Sequence, residues 1–183
     1  MNLRTLGKGI CRQSVPVWDL FVRVFHWSLV FAFTAAYVLS DDGGALHHAF
    51  GYVVLGLVAA RIAWGFTGTQ HARFSSFVPQ PRVFVAYCRD IAAGRERRYH
   101  GHNPAGAAMI VMLLTLLVST GVSGWLLTTD MFWGSKGLEV IHEICANSVL
   151  ACAVIHVRGV LLASWRHREN LVGAMFSGRK RRD

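Results

Sequence analysis

Residues 99–129 read YHGHNPAGAAMIVMLLTLLVSTGVSGWLLTT, a run of 31 residues without a single Asp, Glu, Lys or Arg. About 20 predominantly apolar residues are enough for a helix to cross a bilayer. The run is too long and too apolar to be a typical buried helix of a soluble bundle, so it predicts a transmembrane helix. The other apolar runs of the chain therefore become candidates for further spans.

Three other runs have the same character. Residues 24–40 and 43–60 carry no charge, and residues 137–165 carry only three charged side chains. The sequence predicts an all-α membrane protein, a four-transmembrane-helix bundle that forms one domain over residues 1–183. The helices are expected at about 20–40, 45–66, 105–127 and 138–165, with a loop at about 68–103.

The composition excludes two other classes of protein. Hydrophobic residues make up 53% of the chain, which is too many for a disordered protein. The net charge is +9, but the basic residues lie in blocks between long uncharged runs. A nucleic-acid-binding domain keeps its charges along one solvated face, so no nucleic acid is expected as a partner.

The basic blocks predict the orientation of the helices. The segment before the first helix, the 68–103 loop and the end of the chain hold four, six and six Lys or Arg residues. The two remaining loops hold only Lys136. By the positive-inside rule, both termini and the 68–103 loop are expected to be cytoplasmic. The outer loops are acidic, with Asp41, Asp42, Asp130 and Glu139.

Four histidines fall within the predicted helices, where an ionisable side chain usually has a function. His26 lies near the start of the first helix, His47 near the start of the second, and His142 and His156 on the fourth. A spacing of 14 residues puts His142 and His156 on nearly the same helix face, about 21 Å apart along the axis.

The predicted topology pairs these histidines by depth. His26 and His156 fall on the cytoplasmic side, and His47 and His142 fall on the outer side. Haem fits such pairs because its iron takes axial histidines and its macrocycle fits between the helices of a bundle. The chain has no Cys-x-x-Cys-His motif, so two non-covalent b-type haems are expected.

Arg61 and the four histidines have alternative interpretations. Arg61 follows His47 by 14 residues and is expected to face inward, as a partner for a haem propionate. Alternatively, its side chain extends to the cytoplasmic interface. The histidines could also be packing residues or ligands of a non-haem metal transporter, although such a site usually adds carboxylates or cysteines.

The residues between the second and third helices include a candidate interfacial helix. Its sequence is PRVFVAYCRDIAAG, at residues 81–94. It is expected to turn Val83, Phe84 and Tyr87 towards lipid.

Several motifs, in this order along the chain, resemble a known family. They are VWDLFVRVFHW (17–27), LHHAFGY (46–52), GHNP (101–104), HExxAN (142–147) and HRENLV (167–172). They are similar to the bacterial diheme cytochromes b, known as the prokaryotic cytochrome b561 family, which includes the b-type cytochrome subunit of nickel-iron hydrogenases. The likeness covers nearly the whole chain.

The resemblance implies a bundle in the bacterial inner membrane that binds two b haems and exchanges electrons with quinone. It implies His26, His47, His142 and His156 as the axial ligands. The family's ligand precedes a glycine by four residues, which favours His47, and the neighbouring His48 is the alternative.

We therefore expect an electron carrier that belongs to a quinone-linked oxidoreductase. An electron would enter from a periplasmic-side partner (a c-type cytochrome, a dehydrogenase or a hydrogenase) and leave to quinone near the cytoplasmic face. The quinone candidates are Trp27, Arg61, His102, Asn103 and the segment from His167 to Asn170. The alternatives are a stand-alone superoxide:quinone oxidoreductase and a metal transporter.

Overall fold

The computed structural model describes residues 14–40, 44–99 and 101–181. The elements are β1 (Ser14–Pro16), α1 (Leu20–Val38), α2 (Ala45–Thr67), α3 (Phe74–Phe77), α4 (Pro81–Ala92), α5 (Pro104–Leu127), α6 (Lys136–Arg166), α7 (Leu171–Ser177) and β2 (Arg179–Arg181). Four of these helices, α1, α2, α5 and α6, are long and apolar enough to cross a membrane. The prediction of a four-transmembrane-helix bundle is confirmed, and α6 begins two residues earlier than expected.

Two long helices begin at side chains that cap them. The carboxylate of Asp19 accepts a hydrogen bond from the Val22 amide at 2.8 Å, at the start of α1. The side chain of Asn103 accepts one from the Gly106 amide at 2.7 Å, and Pro104 follows as the first residue of α5. Such caps satisfy amide groups that have no partner within the helix, so the sequence fixes these two helix starts locally.

The four long helices are unevenly packed. α1 packs on α2, α2 on α5, and α5 on α6, around a core that includes Ala32, Val58 and Leu117. Within the described ranges, the backbones of α1 and α6 make few close contacts. The hydroxyl of Tyr37 on α1 donates to Asn147 on α6 at 2.7 Å, across this loosely packed seam.

The three basic segments meet at one end of the bundle, which we call the basic end. β1 and β2 pair antiparallel, with Ser14 opposite Arg181. Two ion pairs join the segment before α5 to the end of α6 and to the segment after it: Arg166 with Glu96 at 2.7 Å, and Arg98 with Glu169 at 3.1 Å. This grouping is what the charge pattern predicts, and the assignment of this end to the cytoplasm stays a prediction.

The structure corrects one detail of the 68–103 loop. The expected amphipathic helix is present as α4, and Val83 is exposed as predicted. Tyr87, however, is only 5% exposed, and its ring contacts that of Tyr99 with centroids 5.6 Å apart. The prediction that Tyr87 faces lipid is wrong, because α4 packs against α5 and against its own following loop.

Candidate functional site

His47 on α2 and His142 on α6 lie opposite one another. Their ring centroids are 6.1 Å apart, and the ring planes are inclined at 81°. A gap of this size admits a metal ion bound by both imidazoles, because each metal–nitrogen bond is about 2 Å long. The two side chains are half-buried and come from different helices, as predicted for an axial pair.

Hydrogen bonds fix the orientation of both rings. Nδ1 of His47 lies 2.8 Å from the carbonyl oxygen of Ala36. Nδ1 of His142 lies 2.9 Å from the carbonyl oxygen of Thr120 and 3.1 Å from the Ser123 hydroxyl. Because a carbonyl only accepts, each Nδ1 donates, and each Nε2 keeps its lone pair. Histidines that bind metals are oriented in this way by their second nitrogen.

A glycine makes room for the His142 ring. A methyl group at Gly124 on α5 would lie 2.8 Å from Cε1 of His142, which is too close for any side chain. Sequence reasoning missed Thr120, Ser123 and Gly124. The available signal was the presence of small and polar residues inside an otherwise apolar transmembrane run.

His48 has a different environment from His47. Its side chain is exposed, and its ring centroid lies 5.9 Å from that of His47. Adjacent residues of a helix point about 100° apart, so only one of the two can face α6. The geometry therefore favours His47 as the ligand, in agreement with the motif.

His26 on α1 and His156 on α6 are the second predicted pair. Both side chains are half-buried, and they are close enough to interact electrostatically. Nδ1 of His26 is enclosed and has no hydrogen-bond partner among the described residues. The two residues lie on the helices that border the loosely packed seam, towards the basic end.

Several buried nitrogen atoms of residues near the basic end have no hydrogen-bond partner in the described part of the chain. They include Arg23 Nε, Trp27 Nε1, Arg61 Nη1 and His102 Nδ1, of which the first three are donors. Leaving a buried donor unpaired costs about 1–3 kcal/mol, so these donors favour the binding of an acceptor. The two propionates of a haem are acceptors of the kind that such donors bind.

Arg61 is buried rather than extended to the interface. It is 3% exposed, and Nη2 donates to the carbonyl oxygen of Ala72 at 3.1 Å. Its guanidinium carbon lies 5.4 Å from the centre of the Phe74 ring. This placement agrees with the inward-facing interpretation and leaves Nη1 available for an anionic group.

The histidine pairs fit haem better than a bare metal ion. Across residues 14–40, 44–99 and 101–181, no three His, Cys, Asp or Glu side chains gather at one point. A bare ion needs three or four protein ligands, whereas haem brings its own ring nitrogens and needs only axial ones. The spacing and orientation of the His47–His142 pair therefore fit a haem.

The structure separates the quinone candidates into two groups. His102 interacts electrostatically with Arg61 and His156, and Trp27 follows His26 directly. Asn103 is engaged in capping α5, and His167 lies at the end of α6 near Glu96. The first group therefore has interactions with the residues of the His26–His156 pair.

Comparisons with known proteins agree with this arrangement. The profile of the prokaryotic cytochrome b561 family matches residues 17–178. The chain is 24% identical to a probable Ni/Fe-hydrogenase B-type cytochrome subunit of Rhodobacter capsulatus, covering 92% of this chain and 82% of that protein.

A second relative carries the same description. The probable Ni/Fe-hydrogenase B-type cytochrome subunit of Rhizobium leguminosarum bv. viciae is 22% identical, covering 94% of this chain and 91% of its own length. No solved structure matches the chain. The family match extends from just before α1 to the end of α7. The chain belongs to the prokaryotic cytochrome b561 family, and it is a multi-pass membrane protein that binds b-type haem and transfers electrons.

Proposed function

We propose that this chain carries electrons across the membrane through two b-type haems, between an outer redox partner and membrane quinone. His47 and His142 would hold one haem, and His26 and His156 the other. The observation that carries the proposal is the His47–His142 pair, with both Nδ1 atoms fixed by carbonyl oxygens and both Nε2 atoms left for a metal.

Haem supplies a one-electron redox centre when it is bound. The chain supplies the ligands and their orientation, because the carbonyl groups of Ala36 and Thr120 accept hydrogen bonds from the rings of His47 and His142. A haem held by two imidazoles would have no free position on its iron, which favours electron transfer over the binding of oxygen. At the other pair, Arg23, Trp27 and Arg61 offer donors to the propionates.

The basic end of the bundle is proposed to face the cytoplasm of a bacterial cell. Its three segments carry most of the Lys and Arg residues, and the positive-inside rule assigns such segments to the cytoplasm. The His26–His156 pair then lies on the cytoplasmic side, and the His47–His142 pair lies near the outer face of the inner membrane.

The outer partner is proposed to be a redox protein, and the names of both relatives favour a hydrogenase. The outer loop between α5 and α6 offers it the exposed side chains of Met131 and Trp133. Asp41 and Asp42, part of the expected acidic docking surface, lie outside the described residues. Glu139 forms an ion pair with Lys136 at 2.8 Å, so its charge is partly compensated.

Quinone is proposed to react beside the His26–His156 pair. The ring of Trp27 contacts that of His26, and His102 interacts electrostatically with Arg61 and His156. Trp27 and Arg61 combine aromatic surface with unpaired donors able to bind a carbonyl oxygen. The ring of Trp27 stacks on that of Phe176 at 4.3 Å, which fixes its position.

Mixing the reduced protein with quinone tests this function. Purified protein would be reduced with dithionite, freed of excess reductant and mixed with a short-chain quinone in a stopped-flow spectrometer. We expect the reduced b-type absorbance to decay at a rate proportional to quinone concentration. If the reduced absorbance persists after quinone is added but is lost when ferricyanide oxidises the protein, the protein carries electrons but does not use quinone.

A further inference from the structure

We propose that the cavity beside His102 is the route by which protons from the aqueous phase reach quinone, with His102 as the last protein donor. This inference rests on the proposed quinone chemistry. It adds the path and the residues that would bring protons to that reaction.

The cavity lies at the basic end and has polar walls. Its volume is about 220 Å³, and its lining includes Gln70, His71, Ser76, Tyr99 and His102. It opens between the segment after α2, the short helix α3 and the segment before α5. A cavity of this size and polarity holds several water molecules, each of which can pass on a proton.

His102 lines this cavity and lies within electrostatic reach of His156. Its ring lies between those of Trp18 and Phe77, with centroid distances of 4.5 and 4.6 Å. It interacts electrostatically with His71, which also lines the cavity, and with Arg61 and His156, which lie on α2 and α6. Nδ1 is enclosed without a partner, so one nitrogen of a fixed ring is free to bind a further group.

Burial and the surrounding positive groups both favour the neutral form of the His102 ring. The interacting groups are Lys180 on β2, Arg61 on α2, His71 in the following segment and His156 on α6. None of them is a carboxylate. Burial, together with these positive neighbours, lowers the pKa of His102 to about 3. A neutral imidazole can accept a proton on one nitrogen and release one from the other, and therefore passes protons without storing charge.

The proposed step balances as the ordinary reduction of a quinone. The quinone accepts two electrons, delivered one at a time from the outer partner, and two protons from the aqueous phase. Two O–H bonds form and a quinol leaves. Each proton that His102 gives up is replaced from the cavity through His71, and the oxidation of quinol would use the same route in reverse.

The test compares two electron acceptors in the purified haem-loaded protein. His102→Gln should slow the oxidation of the reduced protein by a short-chain quinone by about 10²-fold, the usual contribution of a positioned proton donor. Oxidation by ferricyanide, which takes up no proton, should keep the wild-type rate. Imidazole added to the buffer should restore part of the quinone rate. Lys136→Gln, a change of an exposed side chain at the other end of the bundle, should leave both rates unchanged.

A second variant covers the possibility that His102→Gln loses its haem. His71→Gln lies on the cavity wall and should slow the quinone reaction several-fold, with the same rescue by imidazole and no effect on ferricyanide. Unchanged quinone rates in either correctly loaded variant overturn the route. Equal slowing with both acceptors also overturns it, because His102 would then support the bundle or the haem.

A labelling experiment gives a readout that does not depend on activity. Gln70→Cys places a thiol in the cavity wall, and a membrane-impermeant maleimide should modify it in inverted vesicles but not in right-side-out ones. Modification from the outer face would overturn the proposed direction of proton entry. If wild-type protein never reacts with quinone, the proposed function itself fails, and this result is distinct from a failure of the route.

Discussion

At the scale of single residues, the structure shows what orients the rings of His47 and His142. The sequence places His47 and His142 at one depth, but it does not show what orients their rings. The structure supplies Ala36, Thr120 and Ser123 as partners of the two Nδ1 atoms. Two of these contacts are backbone carbonyls, which every residue possesses, so sequence patterns could not single them out.

Gly124 provides a direct test of the space around His142. Gly124→Ala would put a methyl group 2.8 Å from Cε1 of the imidazole and push the ring out of place. We expect the outer haem to be lost or to become high-spin, while the second haem keeps its low-spin bands. The measurement is the reduced-minus-oxidised spectrum of the purified variant.

Gly56→Ala is the matched control for Gly124→Ala. It makes the same change on α2, where an added methyl group meets nothing within 4 Å. Its spectrum should equal that of the wild type. Two intact low-spin haems in Gly124→Ala would show that the His142 ring does not need this space.

A substitution of Arg61 tests whether this residue binds a propionate of the haem proposed at the His26–His156 pair. Arg61→Gln removes a buried cation, which stabilises the added electron of a reduced haem nearby. We expect the midpoint potential of one haem to fall by about 60 mV, a tenfold change in a one-electron equilibrium. A redox titration followed in the visible spectrum measures the shift. Arg158→Gln changes an exposed arginine of α6 and should move neither potential; an equal shift in both variants would contradict the assignment.

At the scale of elements, the apolar runs define the spans, and local signals define some of their ends. Asp19 and Asn103 cap α1 and α5, and both are readable from the sequence. The β1–β2 sheet was not predicted, because two strands of three residues are too short to show an alternating pattern. Their pairing also joins segments from opposite ends of the chain, which local patterns do not indicate.

Glu169 holds the basic end together and gives it a pH dependence. Burial alone would raise the pKa of Glu169, but hydrogen bonds from Arg98 and from the Arg181 amide outweigh it and lower the pKa below the ordinary 4.5. The ion pair is therefore present at neutral pH and weakens as the pH falls below that value.

Glu169→Gln should open the β1–β2 pairing at neutral pH. We expect the amides of the segment from Arg179 to Arg181 to exchange with deuterium about tenfold faster. A tenfold change corresponds to the loss of roughly 1.4 kcal/mol from the free energy of local opening. The wild type should exchange faster only when the pH falls below the ordinary pKa of Glu169, after correction for intrinsic exchange rates. Lys136→Gln breaks the exposed pair with Glu139 at the other end and should leave this segment unchanged.

At the scale of the whole molecule, two histidine pairs lie at different depths of one bundle. The depths and the pairing of these residues stay predictions, made from the spacing along α6 and from the alternating direction of the helices. The loose packing between α1 and α6 was not predicted, since it depends on how four apolar helices distribute their contacts. The family match supports haem binding and electron transfer, and our main proposal is that the chain holds two haems.

The number of haems per chain tests that claim most directly. A pyridine haemochrome assay on detergent-purified protein from haem-replete cells, combined with a protein determination, gives this number. We expect two b-type haems in the wild type, with low-spin reduced bands, and one in His142→Ala. A single haem or none in the wild type, or the same number in both proteins, would contradict it.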